Sequence, residues 1–143
     1  MRIARRLGSA AAVMGLVGAG LIAGATPSWA AGYNGACGSG YNVIDSLRVG
    51  WNSGKTGTTY LTYNSSNGYN CAVTLTDYQG TTRWQEVWLE TSGSPDWTTN
   101  EGYFKYYAGP VYVYGRGHCI DWGGFESESN TSTIDLRFIT HCG

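Results

Sequence analysis

The sequence predicts an all-β fold, namely a small antiparallel sandwich or barrel of about seven to eight short strands with two disulfides. Three observations predict it. After residue 30, apolar residues do not recur at helical spacing over any long window. Short runs rich in Thr, Tyr, Val and Trp alternate there with clusters of Gly and Asn, a pattern typical of strands and turns. Four cysteines in a short chain favour a disulfide framework.

The predicted strands follow one another along the whole chain after residue 40. They are 41–49, 58–63, 71–76, 83–90, 103–107, 111–114, 119–125 and 134–140. The best-defined hairpin joins the second and third strands through residues 64–68, where Asn67-Gly68 readily takes the positive φ of a tight turn. Pro110 cannot donate to a sheet ladder, so it is expected at a strand start or an edge.

Alternation along the strands predicts two rows of core residues. These rows are Cys71, Val73 and Leu75 on one strand, and Ile134, Leu136 and Phe138 on another. The intervening Ala72, Thr74 and Thr76 are expected to meet solvent or another layer, and Asp135 and Arg137 to point outward.

The N-terminus has the organisation of a secretion signal peptide. Arg2, Arg5 and Arg6 form a basic start, an apolar stretch follows over residues 7–25, and Ser28-Trp29-Ala30 places small residues at the cleavage site. Cleavage after Ala30 removes the segment. Retention as a membrane anchor is the alternative, which the five glycines near the apolar stretch and the cleavage signal disfavour. Residues 31–143 then form a single secreted domain.

The charge and the cysteines of residues 31–143 indicate the compartment and exclude one class of partner. This part has six basic and ten acidic residues, so removal of the signal changes the net charge from −1 to −4. Without a basic cluster, nucleic acid is not an expected partner. All four cysteines lie in this part, and in an oxidising space they are expected to pair. Three connectivities are open, of which Cys37–Cys71 with Cys119–Cys142 is preferred because each bridge encloses a few adjacent strands.

Several segments carry a resemblance to a known family. They are residues 35–41 (GACGSGY), 60–64 (YLTYN), 70–73 (NCAV), 106–113 (YYAGPVYV) and 119–124 (CIDWGG), together with the closing Cys142-Gly143. As a set, they resemble the spore-associated protein A family of Streptomyces and related actinomycetes. The resemblance implies an exported protein found with aerial hyphae and spores, and it carries over no catalytic residue. The Trp-rich segment 82–101 lies outside the shared pattern.

The sequence predicts no catalytic, metal or cofactor site. No serine elbow is present, and nothing local joins His118 or His141 to Asp121 or Asp135 as a dyad. The pairs His118-Cys119 and His141-Cys142 suggest zinc, but adjacent residues on a strand point to opposite faces, and export favours disulfides. Glu126 and Glu128 imitate a glycosidase pair, yet residues 126–132 look like a solvated loop.

The high number of aromatic residues is the most informative feature for a binding function. Residues 31–143 contain 19 of them, too many for a small domain to bury completely. Trp84 and Trp88 share a strand face with Glu86 and Glu90, an arrangement that suits a carbohydrate or a protein partner. The candidate ligand-stacking residues are Trp84, Trp88, Trp97 and Trp122. The alternative interpretation is that these rings only pack across strands as core and edge cover.

Three functional hypotheses follow. The first is a secreted structural or surface protein of the spore or hypha, without catalytic activity and without a stable membrane anchor after cleavage. The second is a module that binds cell-wall polysaccharide through the tryptophans. The third is a secreted protease inhibitor, which residues 93–96 support poorly because no cysteine braces that loop.

Overall fold

The chain forms two antiparallel four-stranded sheets packed face to face. The computed structural model describes residues 32–51, 53–130 and 133–143, so the predicted signal segment lies outside the described residues. The strands are β1 (Asn42–Val49), β2 (Gly57–Asn64), β3 (Tyr69–Thr76), β4 (Arg83–Thr91), β5 (Trp97–Phe104), β6 (Tyr107–Tyr114), β7 (Ile120–Ser127) and β8 (Asp135–Thr140). The first sheet has the order β1-β2-β3-β6 and the second the order β5-β4-β7-β8. The predicted all-β class is confirmed as a sandwich rather than a closed barrel.

Most predicted strands lie within a few residues of the observed ones, but the segment 103–107 is wrong. Lys105 and Tyr106 form the turn between β5 and β6, and β5 begins at Trp97. Aromatic residues with high strand propensity stand on both sides of that turn, while Asn100 and Gly102 weaken the strand signal within β5 itself. The predicted hairpin is confirmed, with Gly68 at φ 79° and its N–H bonded to the Asn64 carbonyl at 2.8 Å.

The core lies between the two sheets. Leu61 and Ala72 of the first sheet pack with Val87, Leu89 and Trp122 of the second, and all five are fully buried. The sheets lie close together at Gly124, where an added Cβ would lie 2.2 Å from the hydroxyl oxygens of both Thr59 and Thr74. A side chain at that position would therefore force the layers apart.

The predicted inward facing of Cys71 and Val73 on β3 is wrong. Ala72, Thr74 and Thr76 meet another layer, one of their two predicted alternatives, because they form the face between the sheets. Thr74 bonds the Thr59 hydroxyl at 2.7 Å, and Thr76 donates to Glu126 of the second sheet at 3.0 Å. Cys71 and Val73 lie on the outer face instead, although both are completely buried. Threonines are accommodated on the inner face because their hydroxyls form hydrogen bonds there. Cys71 and Val73, on the outer face, must be covered by another part of the chain.

Residues 32–41 provide that cover. Cys37 is bonded to Cys71, and the Tyr112 hydroxyl donates to the Cys37 carbonyl at 3.0 Å. The Tyr33 ring lies 5.7 Å from that of Tyr60, centroid to centroid. Burial raises the pKa of the Tyr33 phenol. The N-terminal segment therefore covers part of the outer face of the first sheet, on which Tyr69, Tyr112 and Tyr114 stay 39–47% exposed.

The row on β8 also faces the opposite way from its prediction. Asp135 forms an ion pair of 2.6 Å with Lys55, in the connection between β1 and β2, and Arg137 lies over the Trp122 ring, so these two residues point inward. Phe138 is 57% exposed, and Leu136 lies on the outer face of the second sheet. The polar residues are inward because β8 is an edge strand at which ion pairs join the two layers.

Both disulfides have the preferred connectivity, Cys37–Cys71 and Cys119–Cys142. Pro110 lies in edge strand β6, where the pairing with β3 shifts register and needs no N–H from this residue. Within the ranges that the structure describes, no helix is long and apolar enough to cross a bilayer.

Candidate functional site on the outer face of the second sheet

The outer face of the second sheet presents alternating rings and carboxylates on β4. Gln85, Val87 and Leu89 point inward and are fully buried, so the residues between them point outward. Those residues are Trp84, Glu86, Trp88 and Glu90, all of them partly exposed. The sequence predicted that these four residues share one face of the strand, which is confirmed.

Antiparallel pairing places a second polar and aromatic row beside the first. Tyr103, Glu101, Thr99 and Trp97 of β5 lie directly opposite Trp84, Glu86, Trp88 and Glu90, in that order. The Trp84 and Tyr103 rings meet edge to face with their centroids 5.3 Å apart. Trp97 is 61% exposed, which makes it the most open of the tryptophans in the described chain. Neither Glu101 nor Tyr103 was a predicted site residue, although the alternation Trp97-x-Thr99-x-Glu101-x-Tyr103 carries the signal.

Between these strands and β8 runs an open groove of about 380 Å³, which we call the aromatic groove. Its lining consists of Glu86, Trp88, Trp97, Thr99, Glu101, Ile134 and Leu136. Phe138 extends the apolar rim, with its ring 6.4 Å from that of Trp88. Ring faces and aliphatic side chains combined with a few oxygen acceptors are the composition of a site that binds a flat, partly polar ligand.

Electrostatics make the groove acidic. Burial raises the pKa of Glu86, and the charge of Glu101 across the strand pair raises it further. Burial likewise raises the pKa of Glu90, with the Asp121 carboxylate as the second cause. Within the groove, Glu86 therefore ionises against the like charge of Glu101, which makes the groove a favourable place for hydrogen-bond donors and positive charge.

Comparison with known proteins places the chain in a family. It is 44% identical to spore-associated protein A of Streptomyces coelicolor over 124 residues, which cover 82% of this chain and 78% of the relative. The chain belongs to the spore-associated protein A family. The resemblance seen in the sequence is thus confirmed. No family model matches the chain, and no solved structure matches it significantly.

Trp122 is not part of the site in this family member. It was a predicted stacking residue, but its ring is fully buried between the sheets, and its indole N–H donates to the Thr140 hydroxyl at 3.1 Å. The Gly-Gly pair after it lets β7 pack closely against Asp135 at Gly123 and against the threonines of the first sheet at Gly124. The other three predicted tryptophans, Trp84, Trp88 and Trp97, all lie on the outer face of the second sheet.

The hydrogen bonds of His141, Asp121 and Asp135 are made to other partners, and not within a His–Asp dyad of the kind considered from the sequence. His141 Nε2 lies 3.0 Å from Asp45 Oδ2, a partner from β1. Asp121 accepts from the Ile139 amide and the Ser92 hydroxyl, and Asp135 binds Lys55. Within residues 32–51, 53–130 and 133–143, no three His, Cys, Asp or Glu side chains cluster to hold a metal.

Glu126 corrects the expectation of a solvated loop. It lies in β7, is fully buried, and accepts hydrogen bonds from Arg83, Thr56 and Thr76. The Arg83 guanidinium also lies 4.4 Å from the Tyr78 ring centroid. A hollow of about 490 Å³ opens beside this ion pair and beside Trp51. Because Glu126 is saturated by donors from both sheets, we interpret it as a structural link between the layers.

Proposed function

We propose that this protein is an exported, non-catalytic component of the spore or hyphal surface, held there by wall polysaccharide bound in the aromatic groove. Membership of the spore-associated protein A family supports the location, as do two disulfides that suit an oxidising space. The leader-like residues 1–30 support export.

One observation carries the binding part of the proposal: Trp97 and Trp88 line an open groove on a sheet face. Sugar rings present flat C–H faces to aromatic rings, and their hydroxyls donate to acceptors at the edges of those rings. The Glu86 and Glu101 carboxylates and the Thr99 hydroxyl lie at such edges. A flat, open groove suits an extended chain better than an enclosed small molecule.

Co-sedimentation of the secreted protein with purified actinomycete cell wall tests the proposal. We expect the wild-type protein to pellet with the wall and Trp97→Ala to lose about tenfold in apparent affinity, as removal of one stacking ring commonly does. Trp51→Ala is the matched control, since Trp51 is 49% exposed and lies outside the groove. Wild-type protein that stays in the supernatant, or equal loss in both variants, would refute the proposal.

A further inference from the structure

The acidic residues of the protein fall into two groups of equal size. Five of the ten form an ion pair with a cationic side chain: Asp45, Asp77, Glu126, Glu128 and Asp135. In the part of the chain that the structure describes, the other five form none: Glu86, Glu90, Asp96, Glu101 and Asp121. All of the second group lie on β4, β5 or β7 or directly before Trp97. The carboxylates without a cationic partner thus belong to the second sheet, although Asp121 among them is buried and accepts hydrogen bonds from Ser92 and Ile139.

Strand register sets these carboxylates against one another around the tryptophans. Glu86 lies directly opposite Glu101, and Glu90 directly opposite Asp121. Trp88 stands between Glu86 and Glu90 on β4, and Trp97 is the β5 partner of Glu90. Like charges placed directly across two strands destabilise a sheet, unless a cation lies between them. The described residues supply no such cation, so the groove is complementary to one supplied by a ligand.

We propose that the aromatic groove takes a polysaccharide carrying free amino groups, with a protonated amine between Glu86 and Glu101 and sugar faces on Trp88 and Trp97. This inference rests on the proposed function and specifies its ligand. An ammonium group donates three hydrogen bonds and has no acceptor, which fits a pair of carboxylates. The same cation is attracted to the face of a tryptophan within about 6 Å of its ring centroid.

The state of Glu86 agrees with such a ligand. Burial and the facing Glu101 charge raise the pKa of the Glu86 carboxyl, so its ionised form lacks stabilising contacts in the free protein. A bound ammonium group would supply them. An N-acetylated sugar carries no charge at that position and would gain only the stacking contacts, which separates the two kinds of polysaccharide by experiment.

The test measures tryptophan fluorescence during titration with a glucosamine hexamer and with an N-acetylglucosamine hexamer. We expect the glucosamine hexamer to bind at least about tenfold more tightly at low salt, and this preference to shrink as ionic strength rises about tenfold. Glu101→Gln should abolish most of the preference, because Glu101 is exposed and its replacement leaves the fold intact. Glu128→Gln removes the same charge from a side chain that is 88% exposed and outside the groove, and should change nothing.

The outcomes separate this inference from the function on which it rests. Equal binding of both hexamers, with both lost in Trp97→Ala, would overturn the amino-group inference and leave polysaccharide binding in place. A lysine pentamer that binds more tightly than the glucosamine hexamer would also overturn it, since the occupant would then be a cationic peptide. If neither hexamer binds, the inference fails, and wall co-sedimentation decides the proposed function separately.

Discussion

The two outer faces of the sandwich both carry aromatic residues, but they differ in how their apolar residues are covered and in the carboxylates beside the rings. On the first sheet, residues 32–41 cover Cys71 and Val73, and a disulfide and tyrosine rings hold them in place. On the second sheet, Trp88 and Trp97 line an open groove that includes two opposed glutamates. The tethered segment covers the apolar residues of the first face, although Tyr69, Tyr112 and Tyr114 stay 39–47% exposed there. Exposed tryptophans beside carboxylates without a cationic partner distinguish the second face and are the basis of the proposed ligand site.

The largest expected effect comes from removing the tether. Cys37→Ala with Cys71→Ala should destabilise the fold by about 3 to 4 kcal/mol, since the bridge spans 34 residues and restricts the unfolded chain. Urea unfolding measures this change, and binding of a hydrophobic dye should rise as Val73 becomes accessible. Wall binding should persist, because the groove lies on the other sheet.

Cys119→Ala with Cys142→Ala is the matched comparison. Its loop of 23 residues predicts a loss of similar size, about 3 kcal/mol. This bridge fastens the C-terminal end of β8, and Leu136 of that strand lines the groove, so here wall binding should weaken. If both double variants affected dye binding and wall binding equally, the division of roles between the two faces would be wrong.

A smaller effect is expected from Glu86→Gln. The pKa of Glu86 is raised on folding, so the folded chain holds that proton more tightly than the unfolded chain, and the ionised carboxylate destabilises the fold at neutral pH. The variant should therefore melt a few degrees higher than wild type at pH 7. The difference should vanish as pH falls through the folded and then the unfolded pKa, where both chains carry a neutral group.

Thermal melts between neutral and acid pH measure this effect, with Glu128→Gln as the control for net charge. A Glu86→Gln variant that melts lower than wild type at pH 7 would mean that Glu86 is stabilised by a partner. The charge of Glu86 would then not destabilise the second sheet, and the proposed difference between the two outer faces would lose one of its supports.

The sequence predicted the positions of strands and turns better than it predicted which side of each strand faces the other sheet. Turn residues and period-two runs were enough to predict the Asn67-Gly68 hairpin and the shared face of Trp84 and Trp88 on β4. The facing of β3 was wrong because apolar residues on that strand serve a third layer, residues 32–41. Alternation alone states which residues share a face, but it does not state which face meets the other sheet.

The groove was only partly predictable for the same reason. The number of aromatic residues predicted that some tryptophans are exposed, because a small core cannot hold them all. Leu136 and Phe138 were predicted to lie in the core because they are apolar, whereas they lie at the groove. Trp122 was predicted to be a candidate stacking residue, but its ring is buried between the sheets. The local sequence does not distinguish a buried tryptophan from an exposed one. Glu126 was expected in solvent because its three donors come from distant parts of the chain.

The central claim is that ligand binds on the open face and not on the covered one. Backbone-amide NMR of the secreted protein during titration with the glucosamine hexamer tests it most directly. We predict shifts of the signals of Glu86, Trp88, Thr99 and Glu101, with those of Cys71, Val73 and Tyr112 unchanged. Shifts confined to the tyrosine-rich face of the first sheet would contradict it.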